Sequence, residues 1–195
     1  MLLYRKISMQ IVIAFISIII FSQVSNADIG KETGLEIPRY VSLKSNDANI
    51  RVGPSKNYPI EIKFIKKNYP LKILEEYEDW RKVEDFQKNF GWIHKSLISG
   101  TRTGIVLSNG NKTLKLLNTL NGNVIGEIGS GNIVFLEKCK IDWCLVSFGD
   151  YRGWIDKKNI WGVKEKEIIN IKFFQRFEDL YWKSVNSLNK IQKGF

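Results

Sequence analysis

The sequence predicts a mainly β protein: two small antiparallel barrels in tandem, built on one plan, followed by a C-terminal amphipathic α-helix. Three observations carry that prediction. A strand, a turn and a strand opening on Gly-Trp-Ile occur twice, as Trp80-Arg81-Lys82-Val83-Glu84 with Gly91-Trp92-Ile93 and as Trp143-Cys144-Leu145-Val146 with Gly153-Trp154-Ile155. Apolar and polar residues alternate in short runs through both copies, with no helical period. From residue 164 the spacing changes to threes and fours.

Residues 1–27 read as a secretory leader. Arg5 and Lys6 supply its positive end, and Ile11 to Phe21 form an apolar run too short for a comfortable membrane span. Ser25-Asn26-Ala27 offers small residues for cleavage before Asp28. The expectation is a periplasmic protein, with an uncleaved inner-membrane anchor as the alternative. Residues 28–37, polar with two glycines, read as a flexible linker.

Residues 38–99 form the first unit. Arg39 to Leu43 alternates, and Asn49-Ile50-Arg51-Val52 runs into a Gly53-Pro54 break. Ile60 to Ile65 and Tyr69 to Glu75 alternate again, Glu78-Asp79 turns, and Trp80 to Phe86 is a strand before Gly91-Trp92-Ile93 closes the unit. Residues 101–163 repeat the order. Gly104 to Leu107 matches the Val41 strand, Thr113 to Leu117 is set against Asn49 to Gly53, and Ile133 to Glu137 against Leu71 to Glu75. Over 164–195, Phe173, Phe174, Phe177, Leu180, Tyr181, Ser184, Leu188 and Ile191 predict one apolar face on a helix of about five turns.

The ordered set of Asn-Ile-Arg-Val-Gly-Pro-Ser, an alternating strand, an acidic turn, a Trp-led strand and Gly-Trp-Ile resembles the bacterial SH3-like domain. In the second unit Cys139, Trp143-Cys144-Leu145-Val146, Gly153-Trp154-Ile155 and Ile160-Trp161-Gly162-Val163 resemble the tandem form found in exported proteins of alphaproteobacteria. The second unit departs from the pattern at Leu116-Leu117-Asn118, where a Gly-Pro turn is usual. The resemblance implies two SH3-like barrels and a role in binding cell-wall peptide or glycan, or in docking an envelope protein. One fold serves many functions, so the site must decide.

Charge narrows the partners. The formal net charge is +10, and the basic excess is spread thinly along the chain. A nucleic-acid binder concentrates its charge in a stripe or patch, so no nucleic-acid partner is expected. A membrane surface is a possible partner for the basic C-terminal helix, although Glu178 and Asp179 weaken that reading.

Chemistry narrows the function. Cys139 and Cys144 are the only cysteines and flank a hairpin turn in an exported chain, so they predict a disulfide. His94 is the only histidine and lies in the other unit, so no Cys–His pair forms. Two cysteines without further ligands do not make a metal site. The scattered turn glycines, such as Gly126 and Gly131, lack the Lys-Ser/Thr of a phosphate loop. Neither an enzyme nor a cofactor is expected. Trp80, Trp92, Trp143 and Trp154, with Gly91 and Gly153, read as structural, the indoles filling the barrels. Tyr58, Tyr77, Phe86 and Phe90 lie in or beside turns and are the candidate ligand groove. The expected function is non-catalytic binding to peptidoglycan or an envelope protein. A wall-associated hydrolase, or an assembly factor acting through the C-terminal helix, is the alternative.

Overall fold

In the computed structural model, residues 28–108 and 113–170 are described. The segment predicted as a leader, 1–27, and the part of the predicted C-terminal helix from residue 171 onward lie outside them. The described chain is almost entirely β.

The first barrel comprises β3 (Arg39–Leu43), β4 (Ala48–Arg51), β5 (Ile60–Phe64), β6 (Pro70–Tyr77), β7 (Trp80–Glu84), β8 (Phe90–His94) and β9 (Ile98–Ser99). They form one antiparallel sheet in the order β5-β4-β8-β7-β6-β3-β9. The second comprises β10 (Thr103–Val106), β11 (Thr113–Leu117), β12 (Val124–Gly129), β13 (Ile133–Cys139), β14 (Trp143–Phe148), β15 (Tyr151–Asp156) and β16 (Ile160–Trp161). Their order, β12-β11-β15-β14-β13-β10-β16, is the same plan.

The copies agree in detail. Each breaks register at two equivalent places, Ile50/Arg51 with Leu116/Leu117 and Ile73/Glu75 with Leu136/Lys138. Each follows its Gly-Trp-Ile strand with one turn of 3-10 helix, at Lys95–Leu97 and Lys157–Asn159. Strand pairing also corrects the alignment of the copies. Arg51 and Leu117 share a place, each opposite the Trp of the closing strand. Thr113 therefore stands two residues away from the counterpart of Asn49 assigned by sequence.

Each sheet curls around its own aliphatic core. Val41, Leu43, Ala48, Ile50, Leu71, Ile73, Val83 and Ile93 pack into one cluster, drawn from five strands of the first sheet. Val106, Leu116, Ile128, Val134, Leu136, Val146, Ile155 and Ile160 do the same in the second, joined by the two cysteines and Val163. Burying one such side chain contributes about 1.5–3 kcal/mol. Indoles do not fill these interiors. Trp80 is buried at 8% exposure, but Trp92, Trp143 and Trp154 are only half-buried. The reason is the period of two: Gly91 and Ile93 are buried, so Trp92 between them faces outward.

The segment read as a flexible linker is a hairpin. β1 (Asp28–Ile29) pairs with β2 (Glu36–Ile37), and the turn between them is fastened to Glu76 of β6. The Glu76 carboxylate accepts from the backbone N–H of Glu32 (3.0 Å) and Thr33 (2.9 Å), from Thr33 Oγ1 (2.7 Å) and from Arg39 Nη2 (2.7 Å). Arg81 Nε adds a charge at 3.5 Å. Gly30 makes the approach possible, because a Cβ there would stand 2.5 Å from the carboxyl carbon. Sequence composition does not show a partner that lies 43 residues away.

Residues 164–170 are not helical. Glu165 and Lys166 form a turn, and Ile169 makes a single antiparallel bridge with Cys139. The predicted helix therefore does not begin at residue 164.

The barrels touch each other. Tyr40 meets Trp161 edge-on at 5.2 Å between ring centroids, with the Arg102 guanidinium 5.8 Å above the Tyr40 ring. Arg102 also pairs with Glu167 and donates to the Gly162 carbonyl at 2.8 Å. Thr103 Oγ1 donates to the Asn68 carbonyl (2.8 Å), and Lys164 pairs with Glu36 (2.6 Å).

Glu76 makes a stability prediction. Burial by itself raises its carboxyl, but the hydrogen bonds from Thr33, Arg39 and the Glu32 amide outweigh that and bring it to about 2. A carboxyl depressed on folding contributes stability that is full above its unfolded value and is lost as pH falls through the folded one. Thermal denaturation is expected to show the wild type losing stability between about pH 4.5 and about pH 2. Glu76→Gln should cost about 3 kcal/mol at neutral pH, because it leaves Arg39 and Arg81 short of a partner. The gap between the two proteins should close in acid; a constant gap would refute the assignment.

Candidate functional site

The first barrel carries an open groove of about 610 Å³ on its outer face. Its floor and one wall come from β8, as Phe90, Gly91 and Trp92. The opposite wall is Ile62 and Glu61 of β5, with Val52 just beyond β4. Lys82 of β7 and the turn residues Lys88 and Asn89 complete it.

Strand register explains why these side chains meet. Lys82 lies opposite Trp92 in β8 and opposite Glu75 in β6, while Trp92 lies opposite Arg51 in β4. Residues directly opposed across antiparallel strands point to the same face. The outer surface therefore carries a row of Glu75, Lys82, Trp92 and Arg51. Lys82 Nζ pairs with Glu75 at 2.6 Å, and Arg51 donates to the Tyr58 carbonyl at 2.6 Å. The next row holds Lys72, Glu84 and Phe90.

The turn that supplies Lys88 and Asn89 is built on Asp85, which is buried. Its carboxylate accepts from the N–H of Gln87 (2.8 Å), the N–H of Asn89 (2.9 Å) and the Asn89 side chain (2.9 Å). Lys88 sits at φ 69°, in the left-handed region, which aims the chain back toward β8. Lys88 and Lys72 both reach Glu84 at 2.6 Å. Burial raises the Glu84 carboxyl, and the two ammonium groups more than offset it, so Glu84 titrates below the usual glutamate range. Two cations share one carboxylate, and Lys88 remains largely exposed at the groove rim.

The four aromatic residues predicted to make a groove do not converge on one. Phe90, 46% exposed, lines it. Tyr77, 51% exposed, stands edge-on to Trp92 at 6.5 Å and extends the aromatic ridge along the rim. Tyr58 is exposed, with its ring against Gly53, where an added Cβ would meet it at 2.7 Å. Phe86 belongs to a separate cluster with Tyr69, whose ring also packs on Phe64 at 4.6 Å. Burial, with the Asp85 carboxylate adding to it, pushes the Tyr69 phenol well above its ordinary value. Trp92, read from sequence as a structural plug, is instead the central residue of the groove. The signal was available in the alternation of Gly-Trp-Ile: if Ile faces the core, Trp cannot.

Cys139 and Cys144 are disulfide-bonded, with S–S 2.07 Å and Cα–Cα 4.1 Å. They are directly opposed in the β13–β14 hairpin and buried in the core of the second barrel. His94 caps the 3-10 turn. Its Nδ1 contacts Ser96 Oγ at 2.8 Å and accepts from the Ser96 N–H at 3.3 Å, while its ring lies edge-on to Trp80 at 5.4 Å. Asp156 does the same capping in the second barrel, accepting from the Lys158 N–H at 3.1 Å. The nearest carboxylate to His94, Asp79, is held by Lys95 at 2.7 Å. The His94–Ser96 contact is thus accounted for by local backbone capping.

Small curled antiparallel sheets in this strand order define a β-barrel of the SH3 type. The family model for the bacterial SH3 domain matches residues 44–100 and 119–162, together just over half of the chain. The protein belongs to the bacterial SH3 domain family. No curated protein matches it. Among solved structures it is similar to an NlpC/P60 family protein from Bacillus cereus ATCC 10987, at 9% identity and TM-score 0.29, over 63% of this chain and 55% of that one. NlpC2 and NlpC1 from Trichomonas vaginalis match at 12% and 13% identity, each with TM-score 0.29, over 68% and 73% of this chain and 51% of each of theirs. The chain thus spans about half the length of these proteins.

The disulfide gives a second prediction. Closing so short a ring contributes about 2 kcal/mol by loop entropy. Replacing both cysteines by serine should lower unfolding free energy by about that amount plus the loss of buried sulfur. Chemical denaturation of the double variant, compared with the oxidised wild type, checks it. Equal stability of the oxidised and doubly substituted proteins would refute it.

Proposed function

We propose that the protein is a non-catalytic binding protein of the cell envelope that holds a peptidoglycan peptide in the groove centred on Trp92. The observation that carries this reading is the groove itself. An exposed Phe90, a half-buried Trp92 and the edge of Tyr77 offer flat apolar surface to an extended chain. Aromatic-lined grooves of this kind accept extended peptides by packing rather than by chemistry. Lys82 and Lys88 border the apolar strip. Lys88, sharing Glu84 with Lys72, keeps positive charge to offer a ligand carboxylate. The leader-like residues 1–27 agree with a site of action outside the cytoplasm.

Sedimentation with purified peptidoglycan tests the reading. Wild-type protein is expected to co-sediment at moderate salt. Trp92→Ala should weaken retention about tenfold, the usual cost of removing a central aromatic contact. Lys88→Ala should weaken it less, and more so at low salt than at high. A wild type that stays in the supernatant at moderate salt would overturn the proposal.

A further inference from the structure

The strand registers of the two barrels superimpose residue on residue, so the second copy of the groove can be read position by position. Phe90 corresponds to Arg152, since each lies one place before the Gly-Trp-Ile glycine and pairs with the matching residue of the preceding strand, Glu84 or Ser147. Lys82, opposite Trp92, corresponds to Leu145, opposite Trp154. Tyr77 pairs with Trp80, and Lys140 bonds backbone to backbone with Trp143, so Lys140 takes the place of Tyr77. Ile62, opposite Ile50, corresponds to Gly126, opposite Leu116.

Three of these exchanges replace an apolar or aromatic residue by a cation or glycine, while the Lys82 place becomes Leu145. Where Trp92 is flanked by Tyr77 and Phe90, Trp154 is flanked by Lys140 and Arg152. The Lys140 ammonium lies over the Trp154 ring, 5.7 Å from its centroid, at the place where Tyr77 meets Trp92 ring to ring at 6.5 Å. Arg152 is held to Glu137 at 2.6 Å. The turn differs too. The first barrel has five residues between Glu84 and Phe90, organised by Asp85, and these include Lys88 and Asn89. The second has a tight turn at Gly149-Asp150, with Gly149 at φ 56°.

We propose that ligand recognition is confined to the first barrel, the second having kept the sheet while converting the equivalent face from an apolar groove into a cation-covered tryptophan. This rests on the reading of the Trp92 groove as the ligand site. Its consequence is one ligand per chain, with no gain in avidity from the duplication. The second barrel then acts as a support, joined to the first through Tyr40, Trp161 and Arg102.

Titration of the full-length protein with anilinonaphthalene sulfonate, an anionic aromatic dye suited to an apolar groove edged with lysine, tests this without the natural ligand. Trp92→Ala should remove one equivalent of bound dye and Trp154→Ala none, each variant being confirmed as folded by thermal melting. The double variant Lys140→Tyr with Arg152→Phe should add one equivalent, by rebuilding the aromatic flanks around Trp154. Loss of an equivalent with Trp154→Ala, no loss with Trp92→Ala, or no gain in the double variant would overturn the inference. Failure to sediment with peptidoglycan alongside the expected dye results would instead reject the proposed ligand and leave the one-groove assignment standing.

Discussion

The interior and the outer groove of these barrels both depend on the alternation within Gly-Trp-Ile. A strand can send only every second side chain inward. In both copies the glycine and the isoleucine go in and the tryptophan goes out. The glycine is required because β8 passes close against β4: a Cβ at Gly91 would stand 2.3 Å from Ile50 Cγ2 and 2.9 Å from the Arg51 carbonyl. At Gly153 the same space is limited by Leu116 and the Leu117 carbonyl, both at 3.1 Å. That close crossing lets a single sheet fold over on itself, so that a few aliphatic residues suffice to fill the interior. It also forces a large aromatic residue onto the outer face at the same point in each barrel. Core and groove are thus two sides of one strand.

Buried carboxylates hold what the small cores cannot. Glu76, with its side chain 1% exposed, gathers two arginines and the N-terminal hairpin. Glu84, at 5%, gathers Lys72 and Lys88 beside the groove. Glu167 fixes Arg102 at the contact between the barrels; burial raises its carboxyl, and the pairing with Arg102 and the Lys164 amide brings it below the ordinary range. The same region raises the Tyr40 phenol, through burial first and then through the nearby Glu84 and Glu167 charges, against the opposing effect of Arg102. Each carboxylate fixes a segment that lacks enough apolar surface to stay in place by itself. Barrels of about 60 residues are small enough for such supports to matter.

Duplication kept the scaffold and let the surface diverge. Core positions answer to packing, so Ile73 and Leu136, or Val83 and Val146, are interchangeable aliphatics at matched sites. Outer positions answer only to what they meet. The places of Phe90 and Tyr77 hold an arginine and a lysine in the second copy, with the fold unchanged. The disulfide, by contrast, belongs to the second barrel alone, where Cys139 and Cys144 are part of the core.

The sequence by itself determined the β class, the duplication, the succession of strands along each copy and the pairing of the cysteines. These follow from local alternation, turn residues and spacing, which are properties of neighbours along the chain. It placed Trp80 correctly but put Trp92, Trp143 and Trp154 inside, and it scattered the groove over four aromatics, because it weighed residue size above strand parity. Phe90 and Tyr77 were within reach of that reasoning; Trp92 was too, had the inward isoleucine been used to set the phase. The docking of residues 28–37 on Glu76, the two-lysine clasp on Glu84 and the unequal faces of the two barrels were decided only in three dimensions. Each depends on groups far apart in sequence that become neighbours when the sheet curls, and no local pattern encodes that distance.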